Sequence, residues 1–303
     1  MISVSAHAED INWKLGATIF ADYTKTSETS SFNVNRAYIN VTGSLNKRIS
    51  FRVTPDIYRE TAGGSQQFRL KYAYAQVHLD EWLTKGSFVR AGMQQTPYLD
   101  HVEGVYRYRW QGTAFAEREG YLTSSDTGLT MRYVFPSDYG DVHGGFYNGE
   151  GYGKAETNDE KAFQIRATLR PWKPVRATLF AVSDRYEESA PRERLIGQLT
   201  YEHKRGNAGV EVLSAKDRAL EGRGWSAFAT PKLGNGWELL LRHDHNKPDR
   251  ESSVTRTRNI TGVAYWVPNL QKVTAAVMVD RDSLSVTGKE DDTRYAVKML
   301  LVF

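Results

Sequence analysis

Apolar and polar residues alternate with a period of two along most of this chain. Ile49, Phe51, Val53, Pro55 and Ile57 are interleaved with Ser50, Arg52, Thr54, Asp56 and Tyr58. Phe163, Ile165, Ala167 and Leu169 alternate with Gln164, Arg166, Thr168 and Arg170, and Val273, Ala275, Val277 and Val279 with Lys272, Thr274, Ala276 and Asp280. Successive side chains of a strand point to opposite faces, so each segment has one apolar and one polar face. Sixteen segments carry the pattern: 11–24, 32–45, 48–59, 66–79, 86–95, 124–135, 140–149, 161–170, 174–186, 192–204, 207–216, 222–232, 236–246, 255–267, 270–281 and 292–303. No segment carries an equally long apolar stripe at helical spacing. In 66–79 the parity conflicts, because Arg69 and Lys71 share a face with Ala73, Ala75 and Val77, which points to a β-bulge or a rim position.

The connections predict how these strands assemble. Short ones, such as 45–48, 136–139, 171–174, 205–207 and 268–269, alternate with longer polar ones at 25–31, 60–65, 96–123, 150–160, 187–191, 217–221, 247–254 and 282–291. Short turns at one end and longer loops at the other are the pattern of an all-β, transmembrane antiparallel β-barrel of about 16 strands. An even strand count puts both termini at the short-turn end and the first and last strands side by side. In the last strand Tyr295, Val297, Met299, Leu301 and Phe303 share one face, with Phe303 final; an alternating strand closed by an aromatic resembles the C-terminal signature of bacterial outer-membrane barrels, which implies an insertion signal at Tyr295 and Phe303. Aromatics near predicted strand ends, including Tyr133, Tyr139, Trp172, Trp225, Trp237 and Trp266, suit interfacial girdles.

Composition narrows the reading. With 303 residues, 12% of them aromatic, the chain is long enough and apolar enough to fold. Cysteine is absent, which removes disulfides, thiolate metal sites and thiol catalysis. A net charge of +4 from 40 basic and 36 acidic residues is too even for a nucleic-acid binder. Ala6-His7-Ala8 matches a small-x-small cleavage site, so residues 1–8 read as the remnant of a signal peptide and 9–303 as one barrel domain.

With the apolar faces turned to lipid, the polar faces line the lumen. They carry Arg36, Arg52, Arg90, Arg132, Arg166, Arg170, Arg176, Arg194, Arg242, Lys272, Arg294 and Lys298, against Asp56, Asp141, Asp184, Glu202, Glu211, Glu238, Asp244 and Asp280. Such an arginine wall raises the local concentration of anions in a narrow aqueous path. If the lumenal acids pair with the arginines, the field is largely cancelled. The longest connection, 96–123, is rich in aromatics and charge. It is expected to fold into the lumen and narrow it, with Tyr106, Tyr108 and Trp110 against one side and Arg107, Arg109 and Arg118 facing the arginines of the early strands; an external lid or a subunit contact is the alternative.

Several segments resemble the phosphate-selective porin O and P family. FNVNRAYINVTGSL (32–45) is similar to that family's early strand, LKYAYAQV (70–77) to its next tyrosine-bearing strand, and VRAGMQQTPY (89–98) to its segment entering the third loop; FAERE (115–119) and FYNGEG (146–151) follow in order. Gln95 stands where the family commonly has lysine. The resemblance implies a sixteen-stranded porin, commonly a homotrimer, delivered by the barrel assembly machinery into outer-membrane lipid, with an inward third loop and passage of small anionic solutes. It implies no cofactor. Two other readings stay open: a structural barrel around a partner, and an outer-membrane enzyme, for which His101 and the His243-Asp244-His245 run are the material. His243 and His245 share a face, a weak metal-binding arrangement at best. No catalytic residue and no metal ligand is assigned.

Overall fold

The alternating segments pair as strands in a computed structural model that describes residues 11–59, 64–156, 158–185 and 190–303. The strands are β1 (Asn12–Lys25), β2 (Ser30–Ser44), β3 (Ile49–Arg59), β4 (Gln66–His78), β5 (Phe88–Gln95), β6 (Ser125–Val134), β7 (Gly140–Tyr147) and β8 (Ala162–Trp172), followed by β9 (Val175–Arg185), β10 (Pro191–His203), β11 (Gly206–Asp217), β12 (Leu220–Gly234), β13 (Trp237–Lys247), β14 (Arg256–Trp266), β15 (Thr274–Val286) and β16 (Asp292–Val302). Each pairs antiparallel with its chain neighbours, and β16 returns to β1, so the sheet closes as a barrel. The closing register runs from Thr18 opposite Val302 to Lys25 opposite Tyr295. Closure satisfies the backbone groups within the sheet, which a bilayer core requires of any spanning structure. Among the described residues no helix is long and apolar enough to cross a membrane. The Ala6-His7-Ala8 match lies outside the described residues.

The outward face is an apolar belt. Leu195 and Leu199 on β10, Val210 and Val212 on β11, Val277 and Val279 on β15 and Val297 and Met299 on β16 are all exposed, while Gln164, Arg166 and Thr168 on β8 are buried inside. Exposed valine and leucine around the whole circumference are stable only against lipid.

Two bulges set which side chains point inward. Thr54 pairs with Tyr72 but Pro55 pairs with Leu70, so Lys71 is the extra residue on β4. This resolves the parity conflict in 66–79: Arg69 lies inward before the bulge, and Tyr72 and Tyr74 lie inward after it. A second bulge falls at Asn35, since Phe20 pairs with Arg36 and Ala21 with Val34. It was legible as a shift of the apolar parity between Val34 and Ala37.

Some connections differ from expectation. The 217–221 segment is a tight turn at Arg218 and Ala219, with β11 and β12 running to either side of it. β15 extends to Val286, beyond the expected 281. In both places polar strand ends read as loop, yet the backbone ladder continues past the apolar belt. Lys272 sits in the 267–273 connection with φ 60°, so it is not on the lumenal wall.

Candidate functional site

Residues 96–124, hereafter L3, leave β5 and pack on inward-facing side chains. L3 holds α1 (Pro97–Tyr106) and α2 (Phe115–Arg118). Pro97 at the first turn favours helix initiation. The buried positions 98, 99, 102, 105 and 106 then form one helical stripe. Arg107, at φ 62°, ends the helix as its amide donates to the Glu103 carbonyl at 2.9 Å.

The stripe meets an apolar seat. Tyr98, Leu99, Val102 and Phe115 pack with Phe180, Val182, Ile196 and Leu213 of β9, β10 and β11. Tyr98 stacks on Phe180 at 5.2 Å, and its hydroxyl donates to Glu211 and accepts from Gln198 Nε2 at 3.1 Å. Further along, Tyr106, Tyr108 and Trp110 pack with Leu240, Ile260, Met278 and Leu300 of β13 to β16. Arg242 donates to the Thr113 carbonyl at 2.9 Å and Asn207 to that of Val105 at 2.9 Å. Each buried large side chain contributes about 1.5–3 kcal/mol by leaving water, so the seat holds L3 against the β9–β16 half.

The inward charges are grouped unevenly. Asp56 holds Arg36 at 2.7 Å and Arg69 at 3.0 Å. Asp141 holds Arg132 at 3.0 Å and also Arg166. Asp282 holds Arg258 at 2.7 Å, Arg294 at 2.5 Å and Arg118 at 3.5 Å. Three carboxylates therefore serve seven guanidinium groups, and each cluster keeps a positive excess. Arg176 pairs with Glu202 at 2.9 Å, and Arg107 with Glu238.

Among the described residues, three further cations direct their hydrogen bonds to neutral side chains. Arg52 donates to Asn40 at 2.7 Å and Thr54 at 2.9 Å and lies 4.4 Å over Tyr72. Arg90 donates to Gln76 at 2.7 Å and Gln95 at 3.0 Å and lies 4.3 Å over Tyr74. Lys71 donates to Ser124 at 3.1 Å between the rings of Tyr38, Tyr72 and Tyr152. Gln95 is thus an acceptor for Arg90.

The structure places Arg109 near Arg36, both lining one cavity of about 310 Å³ with Arg118, Arg258, Arg294 and Lys298. Arg107 and Arg118 do not turn toward the early strands; Glu238 and Asp282, buried on β13 and β15, draw them to the opposite wall. Below α1, toward the end that carries the termini, a cavity of about 410 Å³ is lined by Arg90, Arg132, Arg166, Arg176, His101 and His143. Burial, reinforced by Arg166 and Arg176, holds the His101 imidazole down at about 3. His243 and His245 point outward beside Trp225, away from both cavities. The inward residues Asp22, Arg69, Lys71, Arg258 and Asp282 were not assigned to the lumen from the sequence; the bulge obscured Arg69 and Lys71, while the others followed the parity of their strands.

The fold is shared with known channels. Over 97% of this chain and 98% of the other, it superposes on OmpF of Salmonella typhi, solved with daunomycin, at TM-score 0.71 and 12% identity. The anion-selective porin of Comamonas acidovorans matches at TM-score 0.63 and 11% identity, over 97% of this chain and 100% of that one. The trimer form of OmpT of Vibrio cholerae matches at 0.61 and 11%, over 97% and 99%. No curated protein sequence matches the chain. The model of the phosphate-selective porin O and P family matches residues 10–201, most of the chain. Barrel, closure and family match agree: this chain belongs to the phosphate-selective porin O and P family, and it is a porin channel of the bacterial outer membrane.

Proposed function

We propose that this porin is a passive diffusion channel for small hydrophilic solutes with a preference for anions, and that L3 forms its constriction. The observation that carries the reading is the grouping of fixed charge: seven guanidinium groups gather on three carboxylates, and Arg52 and Arg90 hydrogen-bond to neutral side chains. Fixed positive charge in a narrow, low-dielectric channel concentrates anions and repels cations. Arginine also presents a planar fork that suits carboxylates and phosphates. With Arg36, Arg52, Arg90, Arg132, Arg166 and Arg176 on the wall and Arg109 on L3 near Arg36, an entering anion meets guanidinium groups on both sides. Assembly as a homotrimer and export behind a cleaved leader belong to the same proposal, in line with the trimeric relative. Reversal potentials of the purified channel in a planar bilayer under a KCl gradient test it: the zero-current voltage takes the sign of chloride passage, more strongly at low salt because the Debye length is then longer. A potential of potassium sign, or no current, overturns it.

A further inference from the structure

L3 carries its own counter-charge at the point where it faces the cationic wall. Arg109 lies 2.9 Å from Glu103 and 3.7 Å from Glu117, so one guanidinium is held between two carboxylates of the same loop. All three remain partly open to the lumen, the Glu103 side chain by 24%. They lie within electrostatic reach of Lys71 on β4, and Arg109 reaches Arg36 on β2 and Tyr152. Glu103 is half-buried on the flank of the α1 stripe, and its carboxylate turns to Arg109 of the same loop. The apolar seat already holds the loop. The acids instead cancel the charge of Arg109 and offset that of Lys71 where L3 faces the cationic wall.

We propose that Glu103 and Glu117 are specificity-determining residues: they mask Arg109 and limit the anion preference of the channel, so that their removal makes it more anion-selective. This rests on the reading of the chain as a channel with L3 at its constriction. A neutral glutamine keeps the size and hydrogen-bonding ability of each side chain but leaves the Arg109 charge uncancelled. The wall opposite then presents Arg36, Lys71 and Arg109 together, within a Debye length of one another.

The test compares the wild-type channel with Glu103→Gln, Glu117→Gln and the double variant, by reversal potential and single-channel conductance in KCl gradients. Heat-modifiable mobility on gels establishes that each barrel is closed. Each single change is expected to raise the chloride-to-potassium permeability ratio by about threefold or more at low salt, and the double change by more than either. Glu103→Asp keeps the charge and is expected to keep the wild-type ratio, which separates charge from loop packing. Unchanged ratios in the folded double variant overturn the proposal, as does an equal rise in Glu103→Asp. The two readings fail separately: a cation-selective wild-type channel sinks the anion preference, whereas the shift between wild type and variants tests the masking by itself.

Discussion

Phe303 exchanges both of its backbone hydrogen bonds with Ala17: its amide donates to the Ala17 carbonyl at 3.1 Å, and its carbonyl accepts from the Ala17 amide at 2.7 Å. The C-terminal end of the chain is thereby part of the seam that closes the barrel. The ring itself is 55% exposed on the outward side, in line with Tyr295, Val297 and Met299. Deleting Phe303 removes two seam bonds, each worth about 1 kcal/mol net, and the outward aromatic. The expected outcome is a lower yield of folded barrel in the outer membrane, because the closing seam and its outward aromatic are lost, with unchanged single-channel conductance in the molecules that do insert. Full yield after deletion, read on gels as the heat-modifiable fraction, would sink the signal role. Gly16 offers a second handle on the seam. A Cβ there would sit 2.8 Å from the Phe303 carbonyl oxygen, so Gly16→Val should also depress the folded fraction.

The uncompensated arginines should dominate selectivity. Among the described residues Arg52 and Arg90 form no ion pair with a carboxylate, whereas Arg36 shares Asp56 with Arg69. Unit charges 4 Å apart interact by roughly 4 kcal/mol at an effective dielectric of about 20, before screening. Arg52→Glu and Arg90→Glu should each move the reversal potential toward potassium, most at low salt. Arg36→Glu should do less, because Arg69 remains free to take the carboxylates. A triple reversal at Arg36, Arg52 and Arg90 that left ion preference unchanged would mean that the wall is structural.

L3 should be separable from the barrel. Phe115 is fully buried among Phe180, Ile196 and Leu213, and Tyr98 stacks on Phe180. Phe115→Ala opens a cavity in that seat and should cost about 3–5 kcal/mol locally. The strand ladder does not depend on it, so the barrel should stay closed while L3 loosens. The expected readout is a larger and noisier single-channel conductance with an unshifted heat-modifiability transition. A quiet wild-type current from the folded variant would mean that L3 does not set the conductance.

The barrel was largely legible before the strands were paired, because each strand buries one face on its own. Val277 and Val279 outward with Met278 and Asp280 inward is a property of one segment. Even the bulge at Lys71 left a trace, as a parity conflict. The ends of β11, β12 and β15 were not legible: residues such as Asp217, Glu221 and Asp282 are polar yet continue the ladder beyond the belt. Charge compensation was harder still. Arg118 meets Asp282 across more than half the chain, and only the register of β14, β15 and β16 brings Arg258 and Arg294 to the same carboxylate. The seat for L3 was present as apolar residues at inward parity, Ile196, Leu213, Leu240, Ile260 and Met278. An interior facing only water has no use for them, and read together they mark where a loop must lie.

Proton uptake by Glu103 should tune the channel near neutrality. Burial raises the Glu103 carboxyl to about 7, against the opposing pull of Arg109, with Glu117 adding to the rise. The groups facing it are Arg109, Glu117 and Asp100 from L3, and Lys71 and Tyr72 from β4. As pH falls from 8 to 6, Glu103 loses its charge, Arg109 loses part of its mask, and anion preference should rise. His101 stays neutral across that window, since its imidazole protonates only at about 3, so it cannot supply the effect. The sign for stability follows from the same shift. The folded protein holds the Glu103 proton more tightly than the unfolded chain does, so this contribution is fully present below the ordinary carboxyl range and is lost as pH rises through about 7. Reversal potentials measured at pH 8, 7 and 6 should therefore climb toward chloride in the wild-type channel. Glu103→Gln should start at the high value and lose most of that slope, while His101→Gln should follow the wild type. A slope that survived in Glu103→Gln would assign the proton to another group of the constriction, with Lys71→Arg the next substitution to decide it.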